Sequence, residues 1–595
     1  MRKSHSLALI SLLSAVSLPA CKSAAPAAPP ATPAAVVAPA VAKVEPVLTL
    51  APAQAAAESM GMSLLVASPM KLVADLDGVS KDLQLPMALG QALLPMITSG
   101  AGPGGMNVNA EALGHLDASR PLSVIWLVRG AEQPVGWCAA LAFKDETVAK
   151  KSLESLGKPQ EERAGARHLK TSSGDMVWAA VAQHQLVLAD TVDNLLTGGA
   201  LAAQSQSTPM IGQVLFTINP TVMAKSTGQS LDALSAALLS KIVTELTNAQ
   251  PNKALTPASK KLVEGMLKAL FPALSQVAVA RLSLELGSQH GLLLRAEMQP
   301  TKDSSLAAKM SHTSPYSFDT NLPVGSDASV AMSWGDLRVW TEEWAKVIEE
   351  SSASGKAVAK EVRALSESIN GGSCASDLAG GELSIVCALT VRPGIKPAQA
   401  LEQYVGFARS SNEWEAELEA RKASPLKVKR AGKITEIDKT IERKDAREQA
   451  MMKALFGGSV LHMAFEPQTD RVIVAVGGKA RDMLKKYGKV DGLPQGAPIL
   501  KRALLDTAGA DYVGFVDVMA LVNKILGATK DTAGPQVGMM MAAVPGLADL
   551  RAPLVFAGSG GKVPALELQI PFGTLQNVAR VVSGFMGVMG PAPGK

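Results

Sequence analysis

The chain is short of the residues on which most recognisable chemistry rests. Seven histidines and four cysteines in 595 residues leave little from which to assemble a metal centre or a histidine-assisted nucleophile. No G-x-S-x-G elbow, no H-E-x-x-H pair and no paired C-x-x-C occurs, so serine hydrolases of that type, zincins and cysteine-rich zinc modules are excluded. One-sided charge is missing too: 58 Lys and Arg against 53 Asp and Glu give +5, and Arg2 and Lys3 supply two of the five. So even a balance speaks against nucleic acid as a partner. Long apolar runs are absent beyond the N-terminus. The best candidate, Gly573 to Gly590, is interrupted by Asn577 and Arg580 and does not read as a membrane span.

What is present begins at the N-terminus. Arg2 and Lys3 precede an apolar run from Leu7 to Leu18, too short to cross a bilayer and shaped like the core of a cleavable leader. It ends in Leu18-Pro19-Ala20-Cys21. Leu and Ala at the third and first places before the cysteine resemble the bacterial lipobox, in which the thiol carries diacylglycerol before the leader is removed. That resemblance implies a signal peptide over 1–20 and lipidation at Cys21; Pro19 departs from the small or β-branched residue usual at its place. The alternative is an ordinary secretory leader with an incidental cysteine. By analogy with proteobacterial lipoproteins, Lys22 rather than aspartate after the cysteine implies sorting to the outer membrane. Ala24 to Pro46 is almost wholly Ala, Pro and Val. Such a segment forms no core and favours a polyproline II chain reaching up to about 70 Å, a tether at 21–46.

The three remaining cysteines differ in setting. Cys374 and Cys387 flank Gly380-Gly381. If these glycines form a two-residue hairpin loop, counting outward sets Cys374 opposite Cys387 at a non-hydrogen-bonded pair, where a disulfide closes readily in an oxidising compartment. Two unrelated buried thiols are the alternative. Cys138 lies in the apolar run Val135 to Phe143 and reads as a core thiol.

Internal similarity is the second strong signal. A short apolar strand ending in a helix-capping residue recurs four times: MSLLVAS to Ser68, QVLFTIN to Asn219, SVAMSWGD to Asp336 and YVGFVD to Asp517. Each last residue suits an N-cap, and Pro69 and Pro220 suit the first helical position. A hairpin running into an amphipathic helix also recurs, starting near Pro121, Ser275, Ser373 and Ala552. Ser68 to Asp336 is a shift of 268 and Arg163-Ala164-Gly165 to Arg430-Ala431-Gly432 a shift of 267. Asn219 to Asp517 is 298, which requires extra residues after Gly432; the charged segment Glu436 to Lys453 can supply most of them. The expected fold is α+β with antiparallel sheets, a tandem duplication of about 47–313 and 314–595, with longer modules at 47–205 and 314–488 and shorter ones at 206–313 and 489–595.

The other motifs are weak. Gly100 to Gly105 satisfies G-x-G-x-x-G but contains Pro103 and follows a helical run, so it reads as a loop. Gly558-Ser-Gly-Gly-Lys562 lacks the leading glycine of a phosphate loop and reads as a hairpin turn. His115 with Asp117, and His462 with Glu466 and Asp470, offer two or three possible ligands without a convincing set. Trp340 and Trp344 share a helix face and read as core. Arg421 to Lys453 carries eleven Lys or Arg against five Asp or Glu; it either meets an acidic surface or pairs its charges internally. The methionines at 539–541, 586 and 589 suit core filling or an apolar ligand groove.

Leader, tether and repeated modules together resemble large bacterial surface lipoproteins of unknown function, those of predatory or social, myxobacterial-type proteobacteria above all. The resemblance carries no catalytic residue and implies no cofactor or metal. The expected function is that of a lipid-anchored cell-envelope protein, not an enzyme, which binds or scaffolds another envelope component. A carrier of an apolar ligand is the alternative, and a hydrolase without a recognisable motif is the third reading.

Overall fold

The computed structural model describes residues 58–589 apart from 84–87, 89, 92–114, 129–134, 172–175, 183, 209, 211, 226–227, 231–232, 234–255, 288–290, 324–327, 378–382, 442–448, 450–451, 454–455, 490–506, 508, 530–545 and 562. It is a mixed α+β structure with antiparallel sheet pairing, and its described residues fall into two compact units. One takes those within Ser23–Leu234 and Val277–Pro300, the other those within Ser235–Gln276 and Thr301–Lys595.

The first unit is built on ten strands: β1 (Met60–Val66), β2 (Leu122–Leu127), β3 (Gly136–Ala142), β4 (Gly157–Arg163), β5 (Ala166–Thr171), β6 (Met176–Ala182), β7 (Gln185–Ala189), β8 (Val214–Ile218), β9 (Val277–Gly287) and β10 (Gly291–Pro300). They pair in the order β4-β5-β6-β7-β3-β2-β1-β8-β9-β10, antiparallel throughout. Runs such as VIWL, CAALA and LVLA are apolar at successive positions because this sheet is covered on both faces. Helix α1 (Pro69–Asp82) follows β1. On one face Val124, Ala139, Leu141 and Leu186 pack with Ala149 and Leu153 of helix α2 (Glu146–Ser155). On the other, Ile125, Cys138, Ala140 and Val187 pack with Val192, Leu195 and Ala202 of helix α3 (Val192–Ser205). Both helices start where the sequence provides a cap. Asp145 accepts from the Val148 N–H at 2.8 Å and Thr191 from the Asn194 N–H at 3.1 Å. A short helix, α4 (Pro220–Lys225), follows β8.

The second unit begins with helix α5 (Pro257–Ser275) and α6 (Ser305–Met310). Its strands are β11 (Ala328–Trp334), β12 (Ile369–Asp377), β13 (Ser384–Val391), β14 (Leu426–Ala431), β15 (Ile434–Thr440), β16 (Val460–Pro467), β17 (Arg471–Val476), β18 (Tyr512–Asp517), β19 (Pro553–Ser559) and β20 (Ala565–Ile570). They pair as β14-β15-β16-β17-β13-β12-β11-β18-β19-β20. This is the order of the first unit with ten added to every number. Helices α7 (Arg338–Ser351) and α8 (Gly355–Ser368) stand between β11 and β12, α9 (Pro397–Leu418) after β13 and α10 (Ala480–Lys486) after β17; α11 (Val518–Thr529) follows β18 and α12 (Phe572–Met589) follows β20. The core again lies on both faces. Ala331, Val386, Ile473 and Phe515 pack with Ala480, Met483 and Leu484 of α10, while Leu389, Ile437, Phe465 and Val474 pack with Ala400, Leu401 and Val405 of α9.

Two glycines in this sheet stand where a side chain has no room. A Cβ on Gly514 of β18 would fall 1.9 Å from the Phe556 ring on β19, and one on Gly558 of β19 would fall 2.0 Å from the Tyr512 ring on β18. Each ring lies over the glycine paired opposite it, an arrangement that covers exposed sheet backbone with aromatic surface.

The strand-ending residues divide. Asn219 accepts from the Val222 N–H at 3.1 Å and Asp517 from the Ala520 N–H at 3.0 Å, so both cap their helices. Ser68 has φ 28° and makes no side-chain cap bond, a correction to the expectation that all four cap; Pro69 starts that helix without it. Asp336 lies one residue before the N-cap, Leu337, and does something else. The segment Glu436 to Thr440 is strand β15 rather than added length, so the extra residues of this region begin after Thr440. The β15–β16 connection runs over 441–459 where β5–β6 uses only 172–175.

Candidate functional site

Cys374 and Cys387 face each other in the β12–β13 register and are joined by a disulfide, with Cα atoms 4.0 Å apart. The glycines expected to form that hairpin's loop lie outside the described residues, as does Cys21. At the corresponding place in the first unit Val124 faces Ala139. Cys138 is fully buried one position away, and burial pushes its thiol pKa far up, away from nucleophilic use.

Asp336, at the end of β11, is 8% exposed. Arg392, just after β13, grips it with both arms of its guanidinium at 2.6 and 2.9 Å, and the Arg338 N–H and Nε add bonds of 2.9 and 3.0 Å. The same guanidinium donates to the Ser366 carbonyl at the end of α8 and to Asn370 Oδ1. Burial works against the charge of Asp336, but the hydrogen bonds from Arg392 and from the Arg338 N–H outweigh it and hold the carboxyl below the usual aspartate range. The cluster joins a strand end, two helix ends and a second strand end. Both Asp336 carboxylate oxygens accept hydrogen bonds from Arg392 and Arg338, the arrangement of a structural lock.

A second polar network fastens the segment 311–323. Ser314 N–H donates to Asp511 at 2.5 Å, the Ser317 carbonyl accepts from Ser373 Oγ at 3.0 Å, and Asp319 Oδ2 receives Arg471 and the Tyr487 hydroxyl, each at 2.5 Å. Burial, then the neighbouring Asp319, pushes the Tyr487 phenol up to about 12. The segment is thereby strapped from the start of β18 to the start of β17, with Leu322 fully buried beneath it.

A cleft of about 790 Å³ lies in the second unit, lined by α5, α7, α8 and the end of α9. It lies where helices are held close. Thr256 and Ser259 at the start of α5 both donate hydroxyls to the Leu418 carbonyl at 2.7 Å, and a Cβ on Gly265 would meet Val347 at 3.1 Å. Arg363 on α8 binds Glu342 through two nitrogens at 2.9 Å and Glu349 at 3.0 Å, tying α8 to α7. Glu417 accepts from the N–H groups of Ala353 and Ser354 and from the Ser354 hydroxyl. Those hydrogen bonds, the Ser354 hydroxyl first, hold its carboxyl below the usual glutamate range. Lys261, Lys346 and Lys356 also line the cleft, all exposed and without an ion pair among the described residues.

The remaining candidates do not converge. Asp117 is turned to Ser119 at 2.7 Å and to Arg120, with His115 exposed nearby in the chain. His462 pairs across the sheet with Asp438 at 2.8 Å rather than with Glu466 or Asp470, and Asp470 pairs with Arg471. Gly100 to Gly105 and Met539 to Met541 lie outside the described residues; Gly558 and Ser559 end strand β19, and Gly560 and Gly561 lie in the β19–β20 turn. Trp340 and Trp344 are only part-buried, and the Lys309 ammonium stands 5.9 Å from the Trp340 ring centre. In the basic stretch, Arg421, Lys429, Arg430 and Lys439 pair with Glu415 or Glu419, Asp438, Glu402 and Glu415 respectively. Four of its eleven basic side chains are thus matched among the described residues. Among the described residues no group of three or more His, Cys, Asp or Glu could hold a metal ion, and no helix is long and apolar enough to cross a membrane.

No family model, curated protein or solved structure matches the chain.

Proposed function

We propose that the chain is a lipid-anchored protein of the cell envelope, sorted to the outer membrane, with a non-catalytic binding or scaffolding role. The observation that carries the location is the Cys374–Cys387 disulfide, because such bonds persist in oxidising compartments and are rare where thiols are kept reduced. It agrees with the leader and with Cys21 at its end. The binding role is supported by the cleft among α5, α7, α8 and α9, whose size suits a small ligand or a short segment of a larger one. The same strand order in both units supports a body made by tandem duplication; the disulfide and the cleft described above lie in the second unit.

Two outcomes are expected. Alkylating the denatured, unreduced protein recovered from envelopes labels Cys138 and leaves Cys374 and Cys387 unlabelled; labelling of all three would remove the support for export. Replacing either bonded cysteine by serine lowers stability by about 3 kcal/mol, since the ring closed is short. The binding role predicts that affinity capture of the full chain from solubilised envelopes retains a distinct protein or lipid component. Recovery of neither would count against it.

A further inference from the structure

We infer that the first unit carries a self-association surface, the apolar face of β1, β8, β9 and β10, which in solution packs against the same face of a second copy of the chain. Strand pairing sets the side chains of these four strands in common rows, Leu64–Phe216–Leu282–Ala296 among them. Alternate residues over 62–66, 214–218, 280–286 and 292–298 share that face, and all fourteen are apolar. Its polarity is inverted. An antiparallel sheet with one wetted face buries its apolar side and offers water the polar one. Here none of the fourteen is buried, and Leu282 is 48% exposed. The charged residues of these strands, Arg281, Glu285, Arg295 and Glu297, all stand on the opposite face, which nevertheless buries Glu297 at 8% and Ser63 and Ser283 at 6%. The unit's own packing therefore lies on the charged side, and the apolar side is a continuous patch of the kind that marks an interaction site.

Three features select a second copy as the occupant. The face bears no charge, hydroxyl or amide side chain, so it can meet itself across a two-fold axis without like-charge repulsion and without stranding a polar group. Its composition is aliphatic with a single aromatic, Phe216, and lacks the tyrosine, tryptophan and arginine enriched between unlike proteins; homodimer interfaces are the more apolar class. Size fits as well. Four strands about 4.8 Å apart and about 20 Å of strand length give a footprint of about 400 Å². With side-chain relief, two copies face to face bury about 1,000 Å², the threshold for a specific interface. Such a dimer is weak and concentration-dependent, its two sheets stacked about 10 Å apart.

The test uses the full chain with Cys21→Ser, purified without detergent, so that association cannot come through an acyl anchor. Sedimentation equilibrium from about 1 to about 100 μM is expected to show the mass rising from one chain towards two. Leu282→Glu puts a charge where water reaches it in the single chain but not between two copies, and is expected to weaken association roughly tenfold or more. Leu286→Lys, at the hairpin end of β9, serves where the first variant fails to fold and is expected to act alike. Gln299→Glu, at an exposed position of the charged face, is expected to associate like the parent chain. A single-chain mass throughout, equal association with and without Leu282→Glu, or an equal loss in Gln299→Glu would overturn the inference. So would a single chain that binds a fluorescent fatty acid and loses it on Leu282→Glu, since the face would then belong to an aliphatic ligand.

Discussion

Asp336→Ala is expected to destabilise the second unit by about 3 to 5 kcal/mol, the range for removing one partner of a buried ion pair. The cost lies less in the lost attraction than in what is left behind. Arg392 has a side chain only 12% exposed, and without Asp336 its guanidinium keeps the Ser366 carbonyl and Asn370 but no opposing charge. Arg338 is more exposed and can turn to water. Asp336→Asn separates charge from shape: it preserves the volume and one acceptor, and is expected to lose less than the alanine variant. Acid provides a third reading. The folded-state pKa of Asp336 lies below its ordinary value, so its contribution is fully present above the unfolded value near pH 4 and is lost as pH falls through the folded one. Urea unfolding at pH 7 and in mild acid should show the gap between wild type and Asp336→Asn narrowing as pH falls below about 4. A loss under 1 kcal/mol at pH 7 would mean that the cluster is not a lock.

Much of the framework was legible because it depends on local periodicity. Strands that stop one or two residues before Ser68, Asn219 and Asp336, and at Asp517, were readable as apolar runs stopped by small or polar residues, and the Cys374–Cys387 register followed from counting along a hairpin. The match of Arg163-Ala164-Gly165 with Arg430-Ala431-Gly432 was informative but one residue out. The hairpin loops are 164–165 in the first unit and 432–433 in the second, an offset of 268, the shift from Ser68 to Asp336. What local pattern could not convey was how the strands share one sheet. β1 pairs with both β2 and β8, and β11 with both β12 and β18, so the strands of the longer and shorter stretches join at the first strand of each unit. Sequence neighbours gave no sign of that because the partners are far apart in the chain.

The site was less legible for a related reason. Lys261, Lys346, Lys356 and Glu417 are ordinary residues of solvated helix faces, and only the packing of α5 on α7, with α8 and α9 beside it, makes them neighbours. Asp336 looked like a helix cap because an aspartate at the end of a strand and before a helix usually is one. Its partner Arg392 stands 56 residues on, in a stretch that carries no motif. The basic run at Arg421 shows the opposite failure. Its excess charge was conspicuous in sequence, yet strand pairing and α9 bring Glu402, Glu415, Glu419 and Asp438 against it.

Cys21→Ser is expected to reduce incorporation of labelled fatty acid to background, the largest single effect proposed for this chain. The thiolate is the atom to which diacylglycerol is attached in lipoproteins of the type that Leu18-Pro19-Ala20-Cys21 resembles, and a serine hydroxyl, almost wholly protonated near neutral pH, is a far weaker nucleophile. No other cysteine can take its place in the folded body: Cys374 and Cys387 are bonded to each other and Cys138 is buried in the sheet. Membrane attachment should fail with the label. No described helix is long and apolar enough to cross a membrane, so detergent phase partitioning is expected to move the variant from the detergent phase to the aqueous one. A variant retained by an uncleaved leader is identified by its higher mass. A Cys138→Ser variant serves as the control and should label like wild type. Unchanged labelling of Cys21→Ser would place the acyl group elsewhere or dispense with it, and the disulfide would then speak for export without an anchor.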